Sequence, residues 1–401
     1  MQKLTSLLAA AFAAGASWAL SPNGAPDLLA SSDGRRAADA AEWEKTNRPE
    51  IKSFFQDFVY GRRPCERPPH LKFSLAEPDR TMMDGKALRK RVRVEYGGAF
   101  GTNSFVFTAF IPTGAKERPA PSFVLICNRD PKKNIDPERV ERSEFWPAEE
   151  IVSRGYAAIA FWNGDVTPDR YHGNRLGCFA CFEDVDKMYR SLKGWGAISA
   201  WAWGASRVMD WIETEPLLDA KHVGVVGHSR GGKTAIVAGA TDERFAMTCS
   251  NCSGCGGAKL NHIRLSTSEH YQDMAQTRSF WYCHAYKKFV VHHDDMLPFD
   301  NHQLLALVAP RLLYVVSAGP DTGAGPQGEF QSARLASPAW GLYGKPGLGA
   351  VFFPALDEPI QSGCVGYHVH SGIHTLNLYD WSRYMDFADR HGWRSAVAKG
   401  M

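Results

Sequence analysis

The 401-residue chain reads as an α/β protein: a mostly parallel, eight-stranded sheet with helices on both faces. Two features predict this. Short, strongly apolar runs of the buried parallel type alternate with helical patterns along the chain. In addition, HVGVVGHSRGGKTAIVAGA (His222 to Ala240) compresses an apolar run, a Gly-bounded turn and a small-residue helical stretch into one continuous segment.

In chain order, Ala37 to Lys45 and Pro49 to Tyr60 read as helical pieces, the second with proline suited to a first turn. Arg89 to Tyr96 alternates basic and apolar residues as a half-exposed edge strand would, and Ser104 to Ile111 follows as a second strand. Six apolar runs come next: Ser122 to Cys127, Tyr156 to Phe161, Val223 to Val226, Phe245 to Cys249, Leu312 to Val316 and Val351 to Phe353. Helical patterns fall between them at Ala197 to Ile212 and at Asn301 to Val308, the latter stopped by Pro310.

Gly227-His228-Ser229-Arg230-Gly231 occupies the turn between the fifth strand and the following helix, the position of a nucleophile elbow. The whole layout then matches the α/β-hydrolase fold, which fixes where partners belong: an acid after a later strand, and a histidine after the last one. Asp321 follows Leu312 to Val316, and His374 follows Val351 to Phe353 just ahead of the final helix. A serine hydroxyl is a weak nucleophile near neutral pH, so an imidazole must take its proton and later return it to the leaving alcohol. Ser229, His374 and Asp321 are the candidate nucleophile, base and orienting acid, with the backbone N–H of Arg230 facing the oxyanion. A second donor is expected from the loop Asn128-Arg129-Asp130. His368 and His370 compete with His374, while His302 and the His292 to Asp295 cluster read as structural, the cluster being polar enough to line the cleft instead.

Lys3 precedes an apolar segment from Leu4 to Trp18, with small residues at Ser17 and Ala19, which reads as a secretory signal over residues 1–19. That run is shorter than the ~20 residues that span a bilayer. The remainder, residues 20–401, is expected to be one catalytic domain, exported to the periplasm or beyond, monomeric and not inserted in a membrane. A net charge of +3 with scattered basic residues argues against nucleic-acid binding. Nine cysteines include Cys178-x-x-Cys181 and Cys249-x-x-Cys252-x-x-Cys255; in an exported chain these favour disulfides or buried thiols over a metal site, and no cofactor is expected. Asn163 to Trp195, with Tyr171, His172, Arg175, Phe179 and Phe182, is placed to shape the cleft, as is Trp281.

The sequence resembles the glucuronoyl esterases and their bacterial relatives. The resemblance runs from NRPEIKSFFQDFVYGRRP (Asn47 to Pro64) through WGAISAWAWGASRVMDWI and GHSRGGKTAIVAGATDERF to PFDNHQLLALVAPR and YDWSRYMDFADRH. Its most specific part is S-R-x-G-K, here Ser229, Arg230, Gly231, Gly232 and Lys233. The resemblance implies hydrolysis of the ester between a xylan glucuronate and a lignin alcohol. It also implies an oxyanion role for the Arg230 side chain and a sugar-hydroxyl contact for Lys233. Two departures stand against it. The fungal glutamate after the sixth strand is absent from Ser250-Asn251-Cys252-Ser253-Gly254, although Asp321 matches an acid position that some bacterial relatives use; and Thr322 replaces a fungal tryptophan. The fungal disulfide beside the nucleophile cannot form at His228. An acetyl or feruloyl polysaccharide esterase, and a non-catalytic carbohydrate- or metal-binding protein on the same scaffold, remain the alternative readings.

Overall fold

A computed structural model describes residues 24–185, 191–262, 267–286, 290 and 298–394. The expected signal segment and the His292 to Asp295 cluster lie outside them. The sheet contains nine strands: β1 Lys72–Met82, β2 Ala87–Gly98, β3 Gly101–Pro112, β4 Ala120–Cys127, β5 Ala157–Trp162, β6 Leu218–His228, β7 Met247–Asn251, β8 Leu312–Ala318 and β9 Val365–His370. Their spatial order is β1-β2-β3-β5-β4-β6-β7-β8-β9. The first three strands form an antiparallel meander joined antiparallel to β5, and from β5 to β9 every pair is parallel.

The parallel part is buried as the apolar runs require. Every residue of β4, β7, β8 and β9 is buried. Helix Ala197–Ile212, over the range its sequence predicts, is buried along its full length; its internal charge pair, Arg207 Nε to Asp210 Oδ2 at 2.7 Å, is completed from outside by the Glu66 carbonyl and Arg244. From β4 the chain steps to β5 on one side, then returns to place β6 on the other. Such a reversal opens a crevice at the carboxyl ends of β4 and β6, where open α/β sheets bind ligands.

Three expectations are corrected. The eight-stranded count misses β1, an edge strand outside β2, whose sequence carries Pro78 and several charges; its register is broken between Leu75 and Arg80. Proline and bulges are tolerated at a sheet edge, and they hide the alternation that marks a strand. Val351 to Phe353 forms no strand: Val351 and Phe352 are exposed, and the last strand is Val365–His370 instead. Finally, the two amino-terminal helical pieces are one continuous stretch. The π-helical turn Trp43–Asn47, closed by a bond from the Arg48 N–H to the Trp43 carbonyl, leads directly into helix Arg48–Phe58. That wider turn lets Pro49, which has no N–H to donate, sit at the start of the following helix.

Candidate active site

β6 ends at His228, and Ser229 makes the turn into helix Arg230–Thr241 with φ 56° and ψ −123°. A non-glycine residue at positive φ is strained and is held there by its surroundings. Here the Ser229 N–H donates to the Asn251 carbonyl at 2.8 Å. Gly227 permits the turn, because a Cβ on it would lie 2.0 Å from the Gly231 carbonyl oxygen.

Ser229 opens onto a cavity of about 550 Å³ lined by Arg230, His374, His228 and the loops that follow β4 and β5. Asp321 stands behind His374. Its Oδ2 lies 2.5 Å from His374 Nδ1, and its Oδ1 accepts the Ala324 N–H at 3.2 Å. Burial opposes the charged carboxylate, but the bond from His374 outweighs it and holds Asp321 below the usual carboxylate range. With Nδ1–H directed at Asp321, the other ring nitrogen keeps a lone pair, and the His374 side chain is 42% exposed. An imidazole so held can accept a proton from a hydroxyl in the same cavity.

The expected site residues therefore divide. Ser229, Arg230 and His374 line the cavity, and Asp321 supports it from behind. Lys233 is only 3% exposed; its ammonium donates to the Ser253 carbonyl under the elbow and lines no part of the cavity. Burial draws its pKa below the ordinary lysine value. Trp281 is likewise buried, and its Nε1–H donates to Asp169 Oδ1 at 2.7 Å. Asp169 also forms an ion pair with Arg230, whose guanidinium further donates to the Asn128 carbonyl at 2.6 Å. In the segment expected to shape the cleft, Phe179 packs edge-on to Trp195 and Phe182 stacks on Tyr96, so both serve the core. Tyr171 remains exposed against Phe280.

Sequence reasoning named Arg129 only within the loop expected to supply a second donor, and missed Asp169 and His228 as cavity residues. For the first two the signal was present in the flagged loops after β4 and β5, but nothing local distinguishes Asp169 from its neighbours. His302 is structural as expected: it is buried, with Nε2 at 2.9 Å from the Pro26 carbonyl.

Among the described residues, Cys252, Asp321 and His374 have ligand atoms within 4.8 Å of one another. Metal binding there would require a thiolate, and burial pushes the Cys252 thiol well above its ordinary value. Asp321 is already committed to His374. The donor set fits a hydrogen-bonded pair better than a metal. Cys178 is also buried, and burial raises its thiol well above the ordinary value.

The family model described as "Glucuronyl esterase, fungi" matches residues 141–344. "Carbohydrate esterase MZ0003", from an unknown prokaryotic organism, is 32% identical over 392 residues, covering 91% of this chain and 89% of that protein. The solved structure "Glucuronoyl Esterase from Solibacter usitatus" superposes with a TM-score of 0.83 at 34% identity, covering 91% of this chain and 97% of that one. This chain belongs to the glucuronoyl esterase family. A "4-O-methyl-glucuronoyl methylesterase" of Hypocrea jecorina (strain QM6a) is 37% identical over 198 residues, but these make up 47% of this chain and 41% of that protein. As a family member the protein is a carboxylic ester hydrolase of the serine type with an α/β-hydrolase fold.

Proposed function

We propose that this glucuronoyl esterase hydrolyses esters of glucuronate with lignin-type alcohols on xylan, through an acyl-enzyme on Ser229. The observation that carries the mechanism is the 2.5 Å contact between His374 and Asp321, with His374 and Ser229 lining the same cavity. His374 takes the Ser229 proton as Oγ attacks the ester carbon, then delivers it to the departing alcohol. Water, activated by the same imidazole, releases the glucuronate. Asp321 holds the tautomer and stabilises the imidazolium. The Arg230 N–H, first in its helix, faces the oxyanion. The substrate class rests on the family and on the activity for which the Hypocrea jecorina relative is named.

The protein acts as an exported, monomeric enzyme with residues 1–19 as its signal and 20–401 as one catalytic domain. No helix among the described residues is long and apolar enough to cross a membrane.

One observation favours a second reading, an esterase of the same chemistry on acetyl or feruloyl groups. Lys233, the residue that resemblance assigns to sugar hydroxyls, is buried against Ser253. Hydrolysis of benzyl glucuronate and of p-nitrophenyl acetate by wild type and Ser229→Ala separates the two. Serine-dependent cleavage of the glucuronate ester supports the first reading, and serine-dependent cleavage of acetate alone replaces it with the second.

A further inference from the structure

Two guanidinium groups line the cavity beside Ser229, and their electrostatic situations differ. Arg230 is paired with Asp169 and donates to the Asn128 carbonyl. Arg129 takes part in none of the ion pairs among the described residues. Its neighbours are the His374 carbonyl at 3.3 Å, His228 Nε2 at 3.5 Å and the face of Phe145, 4.6 Å from the ring centroid. Burial, with the nearby Arg230 charge, draws its pKa below the ordinary arginine value.

We propose that Arg129 is a further catalytic residue whose guanidinium meets the negative oxygen formed on the ester carbonyl, and that His228 is the residue that positions it. The inference rests on Ser229 being the nucleophile. When Oγ bonds to the carbonyl carbon, the π pair moves onto oxygen and the hydroxyl proton goes to His374. As the carbon–alkoxy bond breaks, that pair returns and the alcohol leaves with the proton. The ester is uncharged at this carbonyl before attack. A cation with no carboxylate partner among the described residues therefore gains most in the intermediate, the condition for raising kcat rather than tightening substrate binding. The Arg230 guanidinium lines the same cavity but shares its charge with Asp169, so the two cations differ in how much of their field is already compensated.

The positioning role follows from a hydrogen-bond chain that fixes a tautomer. Asp380 Oδ2 accepts from Asn251 Nδ2 at 3.0 Å, so the Asn251 amide oxygen faces the other way, 2.6 Å from His228 Nδ1. An amide oxygen only accepts, so the Nδ1 of His228 carries the hydrogen and its Nε2 carries the lone pair. The Arg129 guanidinium is the donor that meets this lone pair. His228 is nearly fully buried, and burial together with the adjacent His374 keeps it uncharged. It therefore acts as an acceptor for Arg129 and not as a competing base.

The test is the kinetics of benzyl glucuronate hydrolysis by the full-length enzyme, with Ser229→Ala as the reference. Arg129→Met should lower kcat about 100-fold while KM changes by less than about threefold. Arg129→Lys, which keeps the charge, should recover at least about a tenth of wild-type kcat. His228→Leu should lower kcat about tenfold in the wild-type background and leave Arg129→Met unchanged, whereas His228→Gln, which keeps an acceptor, should recover most of the loss. A higher KM with unchanged kcat in Arg129→Met, or a His228→Leu effect equal in both backgrounds, would overturn the proposal. So would Arg129→Lys as impaired as Arg129→Met, a comparison that stands even if His228→Leu fails to fold. If Ser229→Ala is inactive while Arg129→Met is fully active, Arg129 alone is wrong. If Ser229→Ala stays active, the nucleophile falls and Arg129 with it.

Discussion

Two aspartate–histidine pairs sit at the carboxyl end of this sheet. His374 and Asp321 meet at 2.5 Å, with the histidine 42% exposed at the cavity wall. His368 and Asp380 meet at 2.9 Å with both side chains wholly buried. In the second pair the imidazole has no nitrogen to spare, because Nε2 faces Asp380 and Nδ1 lies 3.1 Å from the Tyr314 hydroxyl. Asp380 is equally occupied, accepting from Asn251 and from the Asn377 N–H. The same two residue types thus leave one nitrogen facing the cavity in the first pair, as the proposed base requires, and make a buried brace in the second, where both are used. The brace is not idle, since through Asn251 it sets the tautomer of His228 at the edge of the cavity.

The comparison is most easily broken at the histidines. His374→Ala should lower kcat on benzyl glucuronate by about 10⁴-fold or more without changing the urea midpoint. His368→Ala should cost about 3 kcal/mol of stability by leaving Asp380 buried and short of a partner, while the folded protein keeps most of its activity. Equal losses of activity in the two variants, measured alongside urea melts, would erase the distinction. Asp321→Asn should reduce kcat about 10³- to 10⁴-fold, because an asparagine cannot stabilise the imidazolium and permits the wrong tautomer. Turnover near that of wild type would move the acid role to Glu329 or another carboxylate after β8.

Glu329 sharpens the contrast by its opposite titration. It is buried, accepts from Ser317 Oγ at 2.6 Å and from the Gly254 N–H at 2.9 Å, and burial still raises its pKa from 4.5 to about 7. The folded state therefore binds more protons than the unfolded state between those values, so stability falls as pH rises from 4.5 to about 7. The loss amounts to about 3 kcal/mol at most. Melting temperature followed across that range should drop in wild type and flatten in Glu329→Gln. An unchanged slope in the variant would assign the pH dependence elsewhere. The smallest effect is expected at Lys233. Since its ammonium serves the Ser253 carbonyl, Lys233→Met should cost about 1–2 kcal/mol and slow glucuronate and acetate esters in the same proportion. A selective loss on glucuronate would restore the sugar contact.

What could be read from sequence follows how local each feature is. The elbow was legible because strand, turn and helix are contiguous and the glycines are demanded by backbone contact within five residues. The pairing of Asp321 with His374 was legible because the fold fixes the strands they follow, and His374 lies at the cavity even though the strand before it was misassigned. That strand, VGYHVH, was hidden by its polar residues; His368 among them is held by Asp380 and by Tyr314, the latter 54 positions away in sequence. Arg129, Asp169 and His228 were not legible as a group, since they come from two loops and the end of a strand that only the folded sheet brings together. The apolar triplet at Val351 failed for the converse reason: nothing in three residues says whether a neighbouring strand will cover them.

The most direct test of the account is the rate at which a fluorophosphonate probe modifies the protein, mapped by peptide mass spectrometry in wild type, His374→Ala and His368→Ala. The account predicts an adduct on Ser229 in wild type, slowed at least about 100-fold in His374→Ala and formed at near wild-type rate in folded His368→Ala. An adduct on another residue, or a rate indifferent to His374, would contradict it.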